Sequence, residues 1–271
     1  MAQRKVFFVS DGTGITAETL GGTLLTQFEG VEFDKSTLPF INTPAKARVT
    51  IEYINHIGDS SGARPIVFST TVNEEVRAIL RSGRALFMDL FDTYIAPIET
   101  ELGQESTHAQ GRAHSMANAG RYQARIDAMN FAMEHDDGQS NRELSKADVI
   151  LVAPSRCGKT PTTLYLALQY GVFATNVPLT EEDLEALRLP KALQEERGKL
   201  FGLTSDPERL VQVRSERRPG SKYASLAQCA YELRQAERLY RRYNVPFLNS
   251  ANMSIEEIAA VVMQEKELRR Q

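Results

Sequence analysis

Cysteine is nearly absent: 271 residues hold only Cys157 and Cys229. Two thiols so far apart cannot staple a disulfide-dense scaffold, and neither has the spacing of a zinc site. A reducing cytoplasm is the compartment this usage predicts. A surplus of charge is lacking too. Lys and Arg number 32 against 35 Asp and Glu, a net charge of -3, which argues against a nucleic-acid partner and its broad basic excess. Long apolar runs are also missing. No stretch reaches the roughly 20 apolar residues that span a bilayer, and Val6–Ser10, behind Arg4 and Lys5, is too short for the core of a signal peptide. No membrane partner is expected. Fixed-period repeats and low-complexity tracts are not found. What is present, 42% hydrophobic and 25% charged residues, suits one large globular domain or two ordinary ones.

Short apolar runs alternate with segments of helical period. Val6-Phe-Phe-Val9 ends at Ser10-Asp-Gly-Thr-Gly14 and reads as a buried strand entering a turn. The next helix is predicted over Ile15–Phe28, capped by Thr16, with Leu20, Leu24 and Phe28 on one face. A strand ending near Leu38–Phe40 follows, then a helix after Pro44 carrying Ala47, Ile51 and Ile54. Strands at Ile66–Phe68 and Ala85–Met88 flank a helix capped by Asn73 and running through Leu80. Gln104–Gly120 is polar and aperiodic, a connector. A helix resumes over Arg121–Glu134 and stops at His135-Asp-Asp-Gly138, where Gly138 suits a left-handed cap. Val149–Val152 opens a second α/β region, with further strands at Val172–Phe173, Leu200–Thr204 and Val245–Leu248. Pro246 favours an edge or strand start for the last. Helices are predicted from Pro207, Ser225 and Ser254. This alternation predicts mainly parallel sheets covered on both faces. The expected organisation is α/β: an N-terminal Rossmann-like α/β domain over 1–103, a connector and helix over 104–146, and a C-terminal α/β domain over 147–271, P-loop kinase-like on account of Gly158-Lys159-Thr160 after its first strand.

The strongest chemical signal is Ala153-Pro-Ser-Arg-Cys-Gly-Lys-Thr160. A phosphate loop requires Gly, four residues, then Gly-Lys-Ser/Thr between a strand and a helix. Gly158-Lys159-Thr160 stand at that distance from an apolar strand and open an apparent helix through Leu168. The segment Ala153, Pro154, Ser155, Arg156, Cys157, Gly158, Lys159 and Thr160 is therefore expected to wrap phosphates with its backbone N–H groups. Lys159 is expected to neutralise outer phosphates, and the Thr160 hydroxyl to hold Mg²⁺. Ala153 replaces the first glycine of the rule, and Pro154 biases it toward the extended backbone of a strand end. Arg156 adds a second cation. The plain alternative is a strand–turn–helix with a chance Gly-Lys-Thr.

Several separate segments point the same way. Ser155-Arg-Cys-Gly-Lys-Thr-Pro161, Ser10-Asp-Gly-Thr-Gly-Ile-Thr-Ala17 and His135-Asp-Asp-Gly138 together resemble the bacterial pyruvate, phosphate dikinase regulatory protein family. Leu200-Phe-Gly-Leu-Thr-Ser-Asp-Pro-Glu-Arg-Leu210, Ser221-Lys-Tyr-Ala-Ser225 and Asn249-Ser250 continue the likeness over nearly the whole chain. The resemblance implies a bifunctional enzyme. As an ADP-dependent serine/threonine kinase it phosphorylates and inactivates a target threonine. As a phosphate-dependent phosphorylase it removes that group with inorganic phosphate and releases pyrophosphate. The implied protein substrate is phosphoenolpyruvate synthase, with pyruvate, phosphate dikinase as the alternative target. A homodimer is implied as well. Ala153 stands where the family has glycine.

Phosphoryl transfer needs positioning, charge neutralisation and an aligned nucleophile. Lys159, Arg156 and the loop amides answer the first two needs. Asp136 and Asp137 follow a helix and precede Gly138, which makes them the candidates to accept the acceptor hydroxyl's proton or to hold Mg²⁺. A solvated helix end is the alternative reading of that pair. His135 is a weaker candidate, since such histidines often cap or pack. Asp206 reads as the cap of a helix from Pro207 rather than as a metal ligand. Arg209, Arg214, Arg217, Arg218 and Lys222 surround Pro219-Gly220 as a basic segment suited to closing over phosphates, or simply a solvated helix end. Asp11-Gly-Thr-Gly14 is a second glycine turn, either a phosphate cradle or a tight βα connection. A P-loop kinase of a small metabolite and a non-catalytic nucleotide switch are the competing function classes.

Overall fold

The computed structural model describes residues 3–107, 109, 119–138 and 143–269. The chain divides into two compact units, Met1–Ser115 and Met116–Gln271, each an α/β sandwich around its own four-stranded sheet. Most of the centre of the expected connector, residues 108 and 110–118, lies outside the described residues.

In the first unit β1 (Arg4–Val9), β2 (Phe33–Leu38), β3 (Ile66–Ser69) and β4 (Leu86–Asp89) form a wholly parallel sheet in the order β2-β1-β3-β4. Alternate residues of β1 serve opposite cores, as a period of two requires. Phe7 and Val9 pack with Ala47, Ile51 and Ile54 of α2 (Pro44–Ser61) and with Val76 and Leu80 of α3 (Glu74–Arg81). Val6 and Phe8 face α1 (Ile15–Leu25). Both caps on the α2–α3 side use side chains: Thr43 accepts from the Lys46 N–H and Asn73 from the Val76 N–H.

Helix α1 departs from the expected face. Its buried residues are Ala17, Gly21 and Leu25, whereas Leu24 and Phe28 are exposed. The stacked rings of Phe8 and Phe68 explain this. A Cβ on Gly21 would stand 2.7 Å from each of them, so the helix approaches the sheet through its smallest side chains. The helix also begins on Gly14, left-handed at φ 87, rather than on a Thr16 cap. The helix α4 (Asp92–Leu102) was not expected from the sequence pattern.

The second unit repeats the strand order. β5 (Val149–Ala153), β6 (Ala174–Pro178), β7 (Leu200–Thr204) and β8 (Phe247–Asn249) form a parallel sheet, β6-β5-β7-β8. Every residue of β5 is buried. Val149 and Leu151 join Leu166, Leu233, Ile258 and Val262 on one face. Ile150 and Val152 join Phe131, Leu184, Leu239 and Tyr240 on the other. The helices are α5 (Ala119–Glu134), α6 (Lys159–Tyr165), α7 (Glu181–Ala186), α8 (Pro207–Arg217), α9 (Leu226–Tyr243) and α10 (Ile255–Glu265). Ala128 and Ala132 of α5 pack on Ala167, which makes that helix part of this unit's core.

Two strands shift from their expected places. β6 follows Val172–Phe173 instead of including them, because a π turn at Leu166–Tyr170 extends α6 and Gly171, at φ 70, closes it. β8 starts after Pro246 and lies at the sheet edge, where a missing N–H does no harm. From β5 the chain goes first to β6 and then to β7 on the other side, and ligands gather outside the strand ends at such a switch point. Among the described residues no helix is long and apolar enough to cross a membrane.

Candidate active site

The switch point is occupied by the segment that follows β5. Ala153 is the last residue of that strand, fully buried, in register with Pro178, and its carbonyl accepts from the Leu179 N–H at 3.0 Å. Extended backbone there calls for no glycine. The chain then turns through Arg156 at φ 74 and Gly158 at φ 88 before α6 begins at Lys159. A left-handed arginine is strained, and such strain persists where surrounding contacts enforce it. The turn opens on a cleft of about 300 Å³ lined by Asp137, Ser155, Arg156, Gly158, Lys159, Thr160, Pro161, Val213 and Arg217.

Lys159 is the buried cation of this cleft, only 4% exposed. Its Nζ lies 3.4 Å from the Pro154 carbonyl and 3.9 Å from Asp137 Oδ1. Burial holds its pKa below the ordinary lysine value, against the pull of Asp137 and Asp136. Cys157, also in the turn, is buried, and desolvation pushes its thiol up to about 11. It is no nucleophile at neutral pH.

The acidic turn stands beside the loop. Asp137 is left-handed, φ 50 and ψ 31, and its side chain is exposed toward the cleft. Asp136 Oδ1 accepts from Thr160 Oγ1 at 2.8 Å and from Asn176 Nδ2 at 2.6 Å. Asn176 Oδ1 accepts from the Asp137 N–H at 3.3 Å. His135 plays a packing role: it is 2% exposed, its Nδ1–H donates to the Phe131 carbonyl at 2.9 Å, and its ring stacks on Phe131. Gly138 is left-handed at φ 69.

The loop is braced from behind. Arg214, in the last turn of α8, is completely buried and directs its guanidinium at the Ser155 carbonyl, the Tyr223 carbonyl and Glu232. Burial alone would lower its pKa, and the hydrogen bond and charge of Glu232 outweigh that. Tyr223 lies under the guanidinium, 4.2 Å to the ring centroid, and its hydroxyl is 3.0 Å from Ser155 Oγ. Ser250 Oγ sits 3.2 Å from the Cys157 carbonyl and 3.0 Å from that of Thr204.

Of the basic segment, only Arg217 lines the cleft. Arg209 bonds to Gln212, and Lys222 reaches Glu181 at 3.4 Å. Asp206 takes the N-cap position of α8 without a side-chain cap bond; its Oδ1 accepts from Asn249 Nδ2 at 2.8 Å. In the first unit, Asp11 Oδ2 accepts from the Val72 N–H at 2.9 Å, which ties the glycine turn after β1 to the end of β3. Asn176 and Glu232 stand outside every segment singled out in the sequence, whereas Tyr223 and Ser250 fall within Ser221–Ser225 and Asn249–Ser250, which carry the resemblance. For Asn176 the available signal is a polar amide in a strand, since buried polar groups demand partners.

Thr160 Oγ1 and Asp136 Oδ1 are adjacent hard oxygen donors of the kind Mg²⁺ takes. Among the described residues no group of three or more His, Cys, Asp or Glu is placed to hold a metal, so Mg²⁺ here would complete its shell with ligand oxygens and water.

A doubly wound α/β unit with a glycine turn, a buried lysine and two carboxylates at its switch point brings together groups of the kind that enzymes acting on anionic ligands use. The sequence model of the kinase/pyrophosphorylase family matches residues 6–263. The chain belongs to that family. It is 52% identical over 268 residues to a protein of Pseudomonas aeruginosa strain LESB58, covering 99% of this chain and 98% of that protein. It is likewise 52% identical to a protein of Stutzerimonas stutzeri strain A1501 and 50% identical to one of Pseudomonas fluorescens strain Pf-5, with the same coverage. All three are provisionally named phosphoenolpyruvate synthase regulatory proteins.

Proposed function

We propose that this chain is a bifunctional regulator of phosphoenolpyruvate synthase in the cytoplasm. It moves the β-phosphoryl group of ADP onto a threonine of that enzyme, and removes it again with inorganic phosphate. The observation that carries the reading is Lys159: a buried ammonium at the edge of the cleft with two long contacts, the Pro154 carbonyl at 3.4 Å and Asp137 at 3.9 Å. Burying a charge is costly, and a phosphate anion in the cleft would add the close counter-charge that offsets that cost. The names of the relatives supply the target.

In the kinase direction the loop amides and Lys159 hold the phosphates of ADP while Asp137 accepts the threonine proton. The threonine oxygen bonds to the β-phosphorus, the bond from that phosphorus to the bridging oxygen breaks, and AMP leaves with the electron pair. In phosphorolysis the same seat holds inorganic phosphate, whose oxygen attacks the phosphothreonine phosphorus. Pyrophosphate forms, and the threonine oxygen takes its proton back from Asp137. Both reactions place a phosphate oxygen on the loop side and the threonine oxygen on the Asp137 side, so one seat and one carboxylate serve both. Mg²⁺, held through Thr160 and Asp136, would supply charge neutralisation on the phosphates.

The test is incubation with β-³²P-ADP and purified phosphoenolpyruvate synthase. Label on a synthase threonine, released as pyrophosphate on adding phosphate, is the expected result. Label on pyruvate, phosphate dikinase alone would move the target, label on a small metabolite would replace the reading, and binding without transfer would make the chain a switch.

A further inference from the structure

Asn176 lies inside β6, fully buried, next to the acidic turn. An amide is an uncommon occupant of a buried strand, and this one directs its hydrogen bonds away from the sheet. Its Oδ1 accepts from the Asp137 N–H at 3.3 Å, while Nδ2 donates to Asp136 Oδ1 at 2.6 Å and lies 3.3 Å from Thr163 Oγ1. One side chain thus grips both residues of the Asp-Asp pair, one through its backbone and one through its carboxylate. The preceding Thr175 hydroxyl donates to the His135 carbonyl at 2.7 Å, so two successive residues of β6 fasten the turn.

The grip matters because of the conformation it holds. Asp137 is left-handed, which for a residue with a Cβ costs roughly 1–2 kcal/mol and endures only where its surroundings over-determine it. Asp136 Oδ1 also accepts from Thr160 Oγ1 in the first turn of α6. Asn176, Asp136 and Thr160 therefore form a continuous link from β6 through the acidic turn to the phosphate loop. At the end of that link the Asp137 carboxylate stands 3.9 Å from Lys159 Nζ.

We infer that Asn176 is a positioning residue for phosphoryl transfer, fixing the Asp137 carboxylate opposite the phosphate seat; the inference rests on the function proposed above. The role needs an amide. Aspartate would accept from the Asp137 N–H but repel Asp136, and leucine would fill the space with no hydrogen bond.

Asn176→Asp and Asn176→Leu, compared with the wild-type protein, test it through steady-state kinetics in both directions. Misplacement of the carboxylate with the loop intact lowers kcat roughly 10–100-fold in each direction. The KM for ADP and for inorganic phosphate stays within about threefold, because Lys159 and the loop amides are untouched. Should Asn176→Leu fail to fold, the near-isosteric Asn176→Asp decides by the same split. A kcat within threefold of wild type, or a loss carried by KM with kcat kept, overturns the inference while leaving the proposed function standing. A wild-type protein that transfers no phosphoryl group to any target overturns both.

Discussion

The Ser155 carbonyl accepts from two nitrogens of Arg214, Nε at 3.3 Å and Nη2 at 3.1 Å. An arginine without solvent contact, more than fifty residues along the chain, thus sets the direction of a peptide plane in the glycine turn after β5. The same guanidinium bonds Glu232 Oε2 at 2.6 Å, so loop, α8 and α9 share one charged joint.

Arg214→Ala should therefore do more than remove a side chain. It strands Glu232 and two backbone carbonyls, and breaking a buried pair in this way costs about 3–5 kcal/mol. Tyr223→Phe keeps the ring under the guanidinium and loses only the contact with Ser155 Oγ, worth about 1 kcal/mol. Urea unfolding ranks the two. Equal stabilities would show that Arg214 does not brace the loop.

Lys159→Met is expected to leave the ligand-free protein as stable as before or more so. The folded-state pKa of Lys159 is depressed by burial, so the penalty is fully present below that pKa. It fades as pH rises toward 10.5, the ordinary lysine value. The variant's advantage at pH 7 should accordingly shrink near pH 10. ADP and inorganic phosphate should raise the Tm of the wild-type protein and not that of the variant. Thermal unfolding at both pH values, with and without ligand, reads all of this, and a variant clearly less stable than wild type at pH 7 refutes it.

Neither thiol should react while the protein is folded. Cys157 is 2% exposed and Cys229 0%. With a pKa of about 11, roughly one Cys157 in three thousand is ionised at pH 7.5, and the thiolate is the reactive form. Iodoacetamide should modify neither cysteine in native protein and both in urea, counted by mass spectrometry. Prompt native alkylation of Cys157 would mean that the loop opens.

Much of this architecture is written locally. Val149–Val152 is apolar at every position and reads as a buried strand, and Gly158-Lys159-Thr160 beyond its end announces the turn. The caps Asn73 and Ser254 and the stripe Ala47–Ile51–Ile54 are equally direct. What stayed hidden depends on distant partners. The burying face of α1 follows from the Phe8–Phe68 stack, which no periodicity within the helix reveals. β6 reads poorly because Thr175 and Asn176 are polar yet fully buried, satisfied by a turn about 40 residues earlier. Arg214 looks like its neighbours Arg217 and Arg218, and only its phase on α8 turns it inward. The acidic pair and the loop were each visible, whereas the hydrogen bond joining Thr160 to Asp136 across 24 positions was not.

Gly202 supplies the last test. A Cβ added to this β7 glycine would lie 2.8 Å from the Tyr240 ring and 2.9 Å from Phe247 Cβ, closer than packed atoms tolerate. The ring cannot yield freely. The Tyr240 hydroxyl sits 2.8 Å from the Val152 carbonyl and 3.0 Å from that of Leu203, joining β5 to β7 one residue before the end of β5. Gly202→Ala should therefore cost about 1–3 kcal/mol by overpacking. Tyr240→Phe should cost about 1 kcal/mol by removing a buried hydrogen bond. If the alanine acts by pushing the ring off those carbonyls, the two changes share one loss, and the double variant should be less destabilised than their sum by at least 0.5 kcal/mol. Urea denaturation of the four proteins measures that coupling. Strict additivity would mean that the strand shifts instead of the ring, and that the tyrosine holds its place regardless of what stands at position 202.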